Sequence, residues 1–417
     1  MSFNTFSFHP QIDAGISKAG YTSPTPIQSK TIPAILSGKD VLGLAQTGTG
    51  KTAAFVLPML EKLMKGPRGK LRGLIISPTR ELAEQIHHSI VELGRQTGLR
   101  SITVFGGVSA QPQIKALRGG VDIVVACPGR LLDLKSQRAI NLSRIEILVL
   151  DEADHMFDMG FLPSIRRIVD AVPEKRQTLL FSATMPDEIR SLATEMLYNP
   201  ETVEIGITQP IDTISHAIYP VDQMRKTEML QKLLRQSGDG QVLVFTRTKH
   251  RAKKLAYQLT QAGLSATSLQ GNLSQNQRKA AMDSFRKGRV KVMVATDIAA
   301  RGIDVSKVSH VINFDIPDTA DAYTHRTGRT GRMEQLGTAL TLVTPDDQTM
   351  VRTIERVMGK SLERRKMDGF EVNMNVPSQP RQQQNRNTRS NNNQQRQRSN
   401  SNSNNNGNRS RSYAGHR

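Results

Sequence analysis

Short apolar runs recur along most of this chain, spaced by longer stretches of mixed polarity. Residues 41–44, 74–76, 102–105, 123–126, 147–150 and 178–181 are apolar almost throughout, with no strict alternation. A strand without a polar face is covered on both sides, which is the habit of parallel sheets flanked by helices. The pattern lapses at 206–215, Gly-Ile-Thr-Gln-Pro-Ile-Asp-Thr-Ile-Ser, which reads as a short linker. It restarts with runs at 242–245, 266–269, 292–295, 308–314 and 338–343. The expected fold is therefore α/β, with two tandem parallel-sheet domains at 30–205 and 216–370. A segment at 1–29 precedes them. From 371 to 417 Asn, Gln, Ser and Arg dominate and no core can form, so a disordered basic tail is expected.

Ligands of parallel sheets sit at the carboxyl ends of the strands, and the polar motifs fall there. After the 41–44 run comes Ala45-Gln46-Thr47-Gly48-Thr49-Gly50-Lys51-Thr52, then a helix-compatible stretch. Glycines let backbone N–H groups curl around phosphates, Lys51 reaches the outer phosphates, and the Thr52 hydroxyl suits Mg²⁺. Ala45 stands where the strict pattern has its first glycine. After the 147–150 run comes Asp151-Glu152-Ala153-Asp154. A carboxylate closing a strand beside a phosphate loop can hold the Mg²⁺ water shell, the part given to Asp151. Glu152 is then placed to polarise an attacking water.

Near the N-terminus, the prolines of Pro24-Thr25-Pro26-Ile27-Gln28 predict a rigid turn before a helix starting near Gln28. The Gln28 amide has the donor and acceptor that match an adenine edge, and Phe3 can stack on a base. The second half lacks a phosphate loop but carries His325-Arg326-Thr327-Gly328-Arg329-Thr330-Gly331-Arg332. Arginines spaced by glycines suit insertion into a phosphate site, which suggests a site between the halves.

Charge sharpens the picture. The net charge of +20 over 417 residues points to a polyanionic partner. Residues 381–417 hold eight arginines and no acid, the composition of a non-specific RNA-binding arm. No run approaches the length that crosses a bilayer, and Met1 to Phe6 lack the features of a secretory signal. A cytoplasmic protein with one reduced cysteine, Cys127, is the expectation, and that cysteine reads as a small apolar filler.

Taken together, the ordered motifs from Phe3 to about Val343 resemble the DEAD-box RNA helicases, two-domain members of helicase superfamily 2. The connecting sequence and the basic tail look most similar to the RhlE-type bacterial branch. The resemblance implies two RecA-like domains, ATP and Mg²⁺ as cofactors, and RNA as partner. It implies that Phe3 and Gln28 read adenine and that Asp304 touches ribose. Arg329 and Arg332 would be arginine fingers. Ser182 and Thr184 would couple hydrolysis to strand separation through Asp154. Pro78, Thr79, Arg80, Gly106, Gly107, Pro128, Gly129 and Arg130 would contact RNA from the first domain. Thr246, Arg247, Gln275, Arg278 and Thr296 would do so from the second. Cys127 replaces a usual Thr, and Gln270 a common His. Local strand separation by domain closure is the implied activity, with ribosome assembly or RNA turnover as settings and ribosomal precursors or RNA-degradation complexes as partners. An ATP-timed RNA clamp or annealing chaperone, a kinase or transporter ATPase, and a DNA helicase are the rival readings.

Overall fold

A computed structural model describes residues 2–46, 48–205, 214–300, 308–331 and 336–370 of the chain. They form two seven-stranded sheets in which all the pairings are parallel. The first holds β1 (Val41–Leu44), β2 (Gly73–Ile76), β3 (Ser101–Val104), β4 (Ile123–Ala126), β5 (Ile147–Leu150), β6 (Gln177–Ser182) and β7 (Glu201–Glu204). Their order across the sheet is β3-β4-β2-β5-β6-β1-β7. The second holds β8 (Ile214–Pro220), β9 (Gln241–Phe245), β10 (Ala266–Leu269), β11 (Val292–Ala295), β12 (Val308–Asn313), β13 (Gly337–Val343) and β14 (Glu363–Arg364). Their order is β10-β11-β9-β12-β13-β8-β14.

Every expected strand is present to within a single residue at either end. Three strands escaped the apolar pattern. β7 and β14 are edge strands, where one covered residue or none suffices; in β7 only Val203 is buried. β8 mixes His216 and Pro220 with its apolar residues, and it begins inside the expected linker. Ile214 is buried and pairs with Gly337, so the linker cannot extend to 215. Residues 206–213, and the tail 371–417, lie outside the described residues.

Aliphatic and Phe side chains fill both faces of the first sheet, with Phe55 against Phe181 at 5.4 Å. The helix expected near Gln28 starts at Pro26. Proline is at home there because a first-turn N–H has no helical partner to lose.

Register sets the site. Leu44 is level with Ser182, and Ile76 with Leu150. The ladder runs one residue past each strand: Ala45 N donates to Ser182 O (3.0 Å), Asp151 N to Ile76 O (3.0 Å), and Cys127 N to Val104 O (2.9 Å). The motif loops therefore leave the sheet in one row.

Candidate functional site

The phosphate loop joins β1 to the helix Lys51–Met64. Gly48 and Gly50 have φ of 90° and 94°, values at which a side chain is strained. Lys51 is buried and its Nζ donates to Ala45 O at 2.8 Å, so its ammonium lies inside the loop. Thr52 follows on the same helix turn. Thr49 Oγ1 donates to Gln46 O (2.7 Å) and tightens the turn. Ala45 does not take a positive φ, so its methyl brings no backbone strain where glycine is usual. Thr47 lies outside the described residues.

Gln28 is buried, with both ends of its amide on the protein. Its Oε1 accepts from Thr25 N (2.9 Å) and its Nε2 donates to Gly50 O (3.0 Å). Reading a base edge would therefore compete with its hold on the phosphate loop. Phe3 is 3% exposed and packs on Phe6 and Tyr21, with ring centroids 6.0 Å apart in both cases. Tyr21, at 39%, is the aromatic of this cluster with an open face.

At the end of β5, Asp151, Glu152 and Asp154 are all buried. Glu152 takes a left-handed backbone, φ 55° and ψ 54°, a costly conformation for a non-glycine residue and typical of working sites. Burial pushes the Asp151 carboxyl well above its ordinary range, against the pull of Lys51. Burial also opposes ionisation of Glu152. A 2.9 Å hydrogen bond to His155 Nδ1, with the charges of His155, Lys51 and Arg329, outweighs it and holds Glu152 low. Two adjacent carboxyls are thus driven apart, the pattern expected of groups with different jobs.

Asp154 is the hub of the expected coupling. Its Oδ2 accepts from Ala183 N (3.1 Å), Thr184 N (2.9 Å) and Thr184 Oγ1 (3.1 Å). Its own N–H donates to Ser182 Oγ (3.2 Å). Asp154, Ser182 and Thr184 therefore come together as a hydrogen-bonded unit.

A groove of about 680 Å³ collects residues from both halves. Pro78, Thr79, Arg80, Gly106 and Gly107 line it from the first, and Arg247, Gln275, Arg278 and Thr296 from the second. Arg80 donates to Gly106 O (2.7 Å) and lies over the Phe105 ring at 4.2 Å. Arg278 grips Glu81 Oε1 with Nε (2.9 Å) and Nη2 (2.8 Å), tying the halves together. Pro128, Gly129, Arg130 and Thr246 do not line this groove. Pro128 opens a helix, Gly129 is exposed, and Arg130 donates to Val108 O (2.9 Å). Thr246 is fully buried.

Cys127 precedes Pro128 without a side-chain cap bond, so the hydroxyl contact of the usual Thr is lost here. Burial and the Glu81 carboxylate push its thiol up to about 12, which makes it inert. Gln270 is buried and accepts from Asn272 N (2.7 Å), closing its own turn.

A second cavity, of about 420 Å³, has Asp154, His155 and Thr184 on one wall and His325, Arg326 and Arg329 on the other. The His155 and His325 rings meet edge to face, 4.9 Å apart. Burial, then His155, pushes His325 down, which favours a neutral ring. Arg326 belongs to the scaffold. It is buried, pairs with Asp297 (2.5 and 2.7 Å), and donates to Asp315 O (2.7 Å). Arg332 and Asp304 lie outside the described residues. Sequence reasoning missed His155 and His325. The signal for His155 was its place one helical turn after Glu152.

The likenesses agree with this geometry. A DEAD/DEAH box helicase model matches residues 25–192, and a helicase conserved C-terminal domain model matches 225–334. The DEAD-box ATP-dependent RNA helicase CshA of Streptococcus pneumoniae serotype 4 is 43% identical over 91% of this chain and 72% of its own length. The RNA helicase CrhR of a Synechocystis species is 43% identical over 82% of this chain and 70% of its own. Saccharomyces cerevisiae Dbp5 bound to RNA and ADP BeF3 superposes with a TM-score of 0.80 at 31% identity, over 88% of this chain and 96% of that one. Two parallel sheets with these motifs in this order, and relatives this similar, make the chain a member of the DEAD-box family of ATP-dependent RNA helicases, enzymes that hydrolyse ATP.

Proposed function

We propose that the chain separates short RNA duplexes locally, by closing its two RecA-like halves around ATP and RNA, and reopens after hydrolysis. The observation that carries the reading is the groove shared by both halves, with Arg278 already ion-paired to Glu81 across it. Strand separation by closure needs one RNA surface built from two bodies, so that motion of either bends the strand.

The site residues take their parts accordingly. The loop from Ala45 to Thr52 holds the triphosphate, with Lys51 on the outer phosphates. Asp151 and Thr52 supply a carboxylate and a hydroxyl, the hard oxygen donors Mg²⁺ takes beside phosphate. When bound, Mg²⁺ neutralises charge on the transferred phosphoryl group. Glu152, held ionised by His155, orients the attacking water. Arg329, on the facing wall of the second cavity, would stabilise transition-state charge, together with Arg332. Asp154 passes changes at this site to Ser182 and Thr184. Adenine would be read from the side of Gln28 and the Phe3–Tyr21 cluster. The domain limits 1–29, 30–205 and 216–370 remain part of this reading, with β8 trimming the linker to 206–213.

The arginines of the tail support RNA affinity without chemistry and the RhlE-type branch. A cytoplasmic role in ribosome assembly or RNA turnover completes the reading. The acid-free arm at 381–417 also suits strand annealing, so the test separates the two. RNA duplexes of increasing length are mixed with full-length protein and ATP. Release of short strands with loss of activity on long ones is expected, and Glu152→Gln should abolish release while keeping ATP and RNA bound. Annealing without ATP-dependent release would overturn the reading.

A further inference from the structure

The helix Lys249–Gln261 follows β9 and opens at the groove, where Lys249 forms part of the wall. Its sequence, KHRAKKLAYQLTQ, has no acid. Ala252, Leu255, Ala256 and Leu259 form the buried face. His250, Lys253, Lys254, Tyr257 and Gln261 are exposed, and their spacing makes one continuous stripe leading away from the groove. Arg251 pairs with Asp315 at 3.2 Å. Lys249, Lys253 and Lys254 form no ion pair among the described residues.

This is a poor arrangement for helix stability alone. Lys249 and Lys253 repel at i,i+4, and a basic first turn opposes the helix dipole. The helix Arg80–Leu93, by contrast, has Glu81 in its first turn. Tyr257 adds a large ring that is 65% exposed. Cations with no partner beside an open aromatic face are what a single nucleic-acid strand uses: phosphates on the cations and a base on the ring.

We propose that this stripe carries the RNA strand as it leaves the groove on the second half, with Lys253 and Lys254 holding phosphates and Tyr257 stacking a base. The proposal rests on the groove being the RNA site. From Lys249 to Tyr257 the helix rises about 12 Å at 1.5 Å per residue. At about 3.4 Å per stacked base, that is room for roughly three nucleotides.

The test uses the full chain with an ATP analogue and unstructured RNAs of about 4 to about 16 nucleotides. Wild-type affinity should rise with length beyond the RNA that fills the groove. Lys253→Gln/Lys254→Gln should flatten that rise and reduce the slope of log affinity against log salt by about 1.4, at about 0.7 per lost phosphate contact. Tyr257→Ala should weaken the longer RNAs about tenfold, and Tyr257→Phe should restore them. ATP turnover saturated with the shortest stimulating RNA should not change in any variant. Length and salt dependence identical to wild type would overturn the proposal, as would an equal loss on the shortest RNAs. If the wild type fails to bind short RNA at all, the groove assignment fails instead.

Discussion

The two sheets share one strand order but differ at the end of one strand. β8 in the second sheet occupies the place of β1 in the first. After β1 the chain makes a glycine loop, and Lys51 begins the next helix. After β8 it makes a short 3₁₀ turn without glycine, and Lys226 begins the next helix. Both lysines are buried and both donate to a backbone carbonyl: Lys51 to Ala45 of its own loop, Lys226 to Phe314 at 3.1 Å. Lys226 also faces Asp347 at 3.7 Å. A lysine held by a distant strand and a carboxylate is a strut. A lysine whose hydrogen bond goes to the curled loop it belongs to, beside the Asp151 and Glu152 carboxyls, can turn to a phosphate. On the proposed reading, one fold serves as the binding body and, with the loop removed, as the body that presents Arg329 to it.

The strongest way to break this division is Arg329→Ala. It should lower RNA-stimulated hydrolysis by about 10³-fold or more with little change in ATP affinity, read by single-turnover assay beside equilibrium binding. A parallel loss of affinity would place Arg329 in ground-state binding. Next comes the lysine pair. Lys51→Ala should cost about 10²–10³ in turnover, the scale of losing one preorganised charge from the site. Lys226→Ala should leave turnover per folded molecule nearly intact and cost about 1–3 kcal/mol of stability, because a buried carbonyl loses its donor. Equal catalytic losses would mean that the halves had not divided their work.

The contact between the halves sharpens the comparison further. Glu81→Arg or Arg278→Glu should each weaken RNA-stimulated turnover about tenfold, and the double exchange should recover part of it. A double-mutant cycle measures that coupling. The smallest effect lies within the second half. His216 accepts or donates a 3.0 Å hydrogen bond with Tyr323, and burial, aided by Lys360, lowers its pKa from 6.5 to about 4. The folded state therefore resists protonation that the unfolded chain accepts. Stability should be full above pH 6.5 and decline as pH falls towards 4, by at most about 3 kcal/mol. His216→Gln should shrink the acid-induced fall in melting temperature; an unchanged fall would clear His216 of that role.

The strands and the acids at the end of β5 are legible because each is written locally. Short apolar runs bounded by turn residues read as buried strands, and Lys51, Thr52 and Asp151 stand at fixed offsets from those strands. Partner choice was not legible. Glu81 and Arg278 are 197 positions apart, and nothing near either names the other. Gln28 looked free to read a base because its hold on Gly50 depends on how a helix lies against a loop. Phe3 was a base-stacking candidate in the sequence and is a core residue in the fold, since any aromatic serves either end. β7 and β14 were missed because an edge strand need bury little.

Ser182 touches two motifs with different atoms. Its carbonyl accepts from Ala45 at the root of the phosphate loop, and its hydroxyl accepts from the Asp154 amide. It is a fulcrum with arms of unlike material. The backbone arm survives any ordinary substitution, because it is part of the sheet. The hydroxyl arm disappears with alanine and leaves a buried N–H with nothing to hold. A single change at this position can therefore slacken the acid turn while leaving the phosphate loop seated.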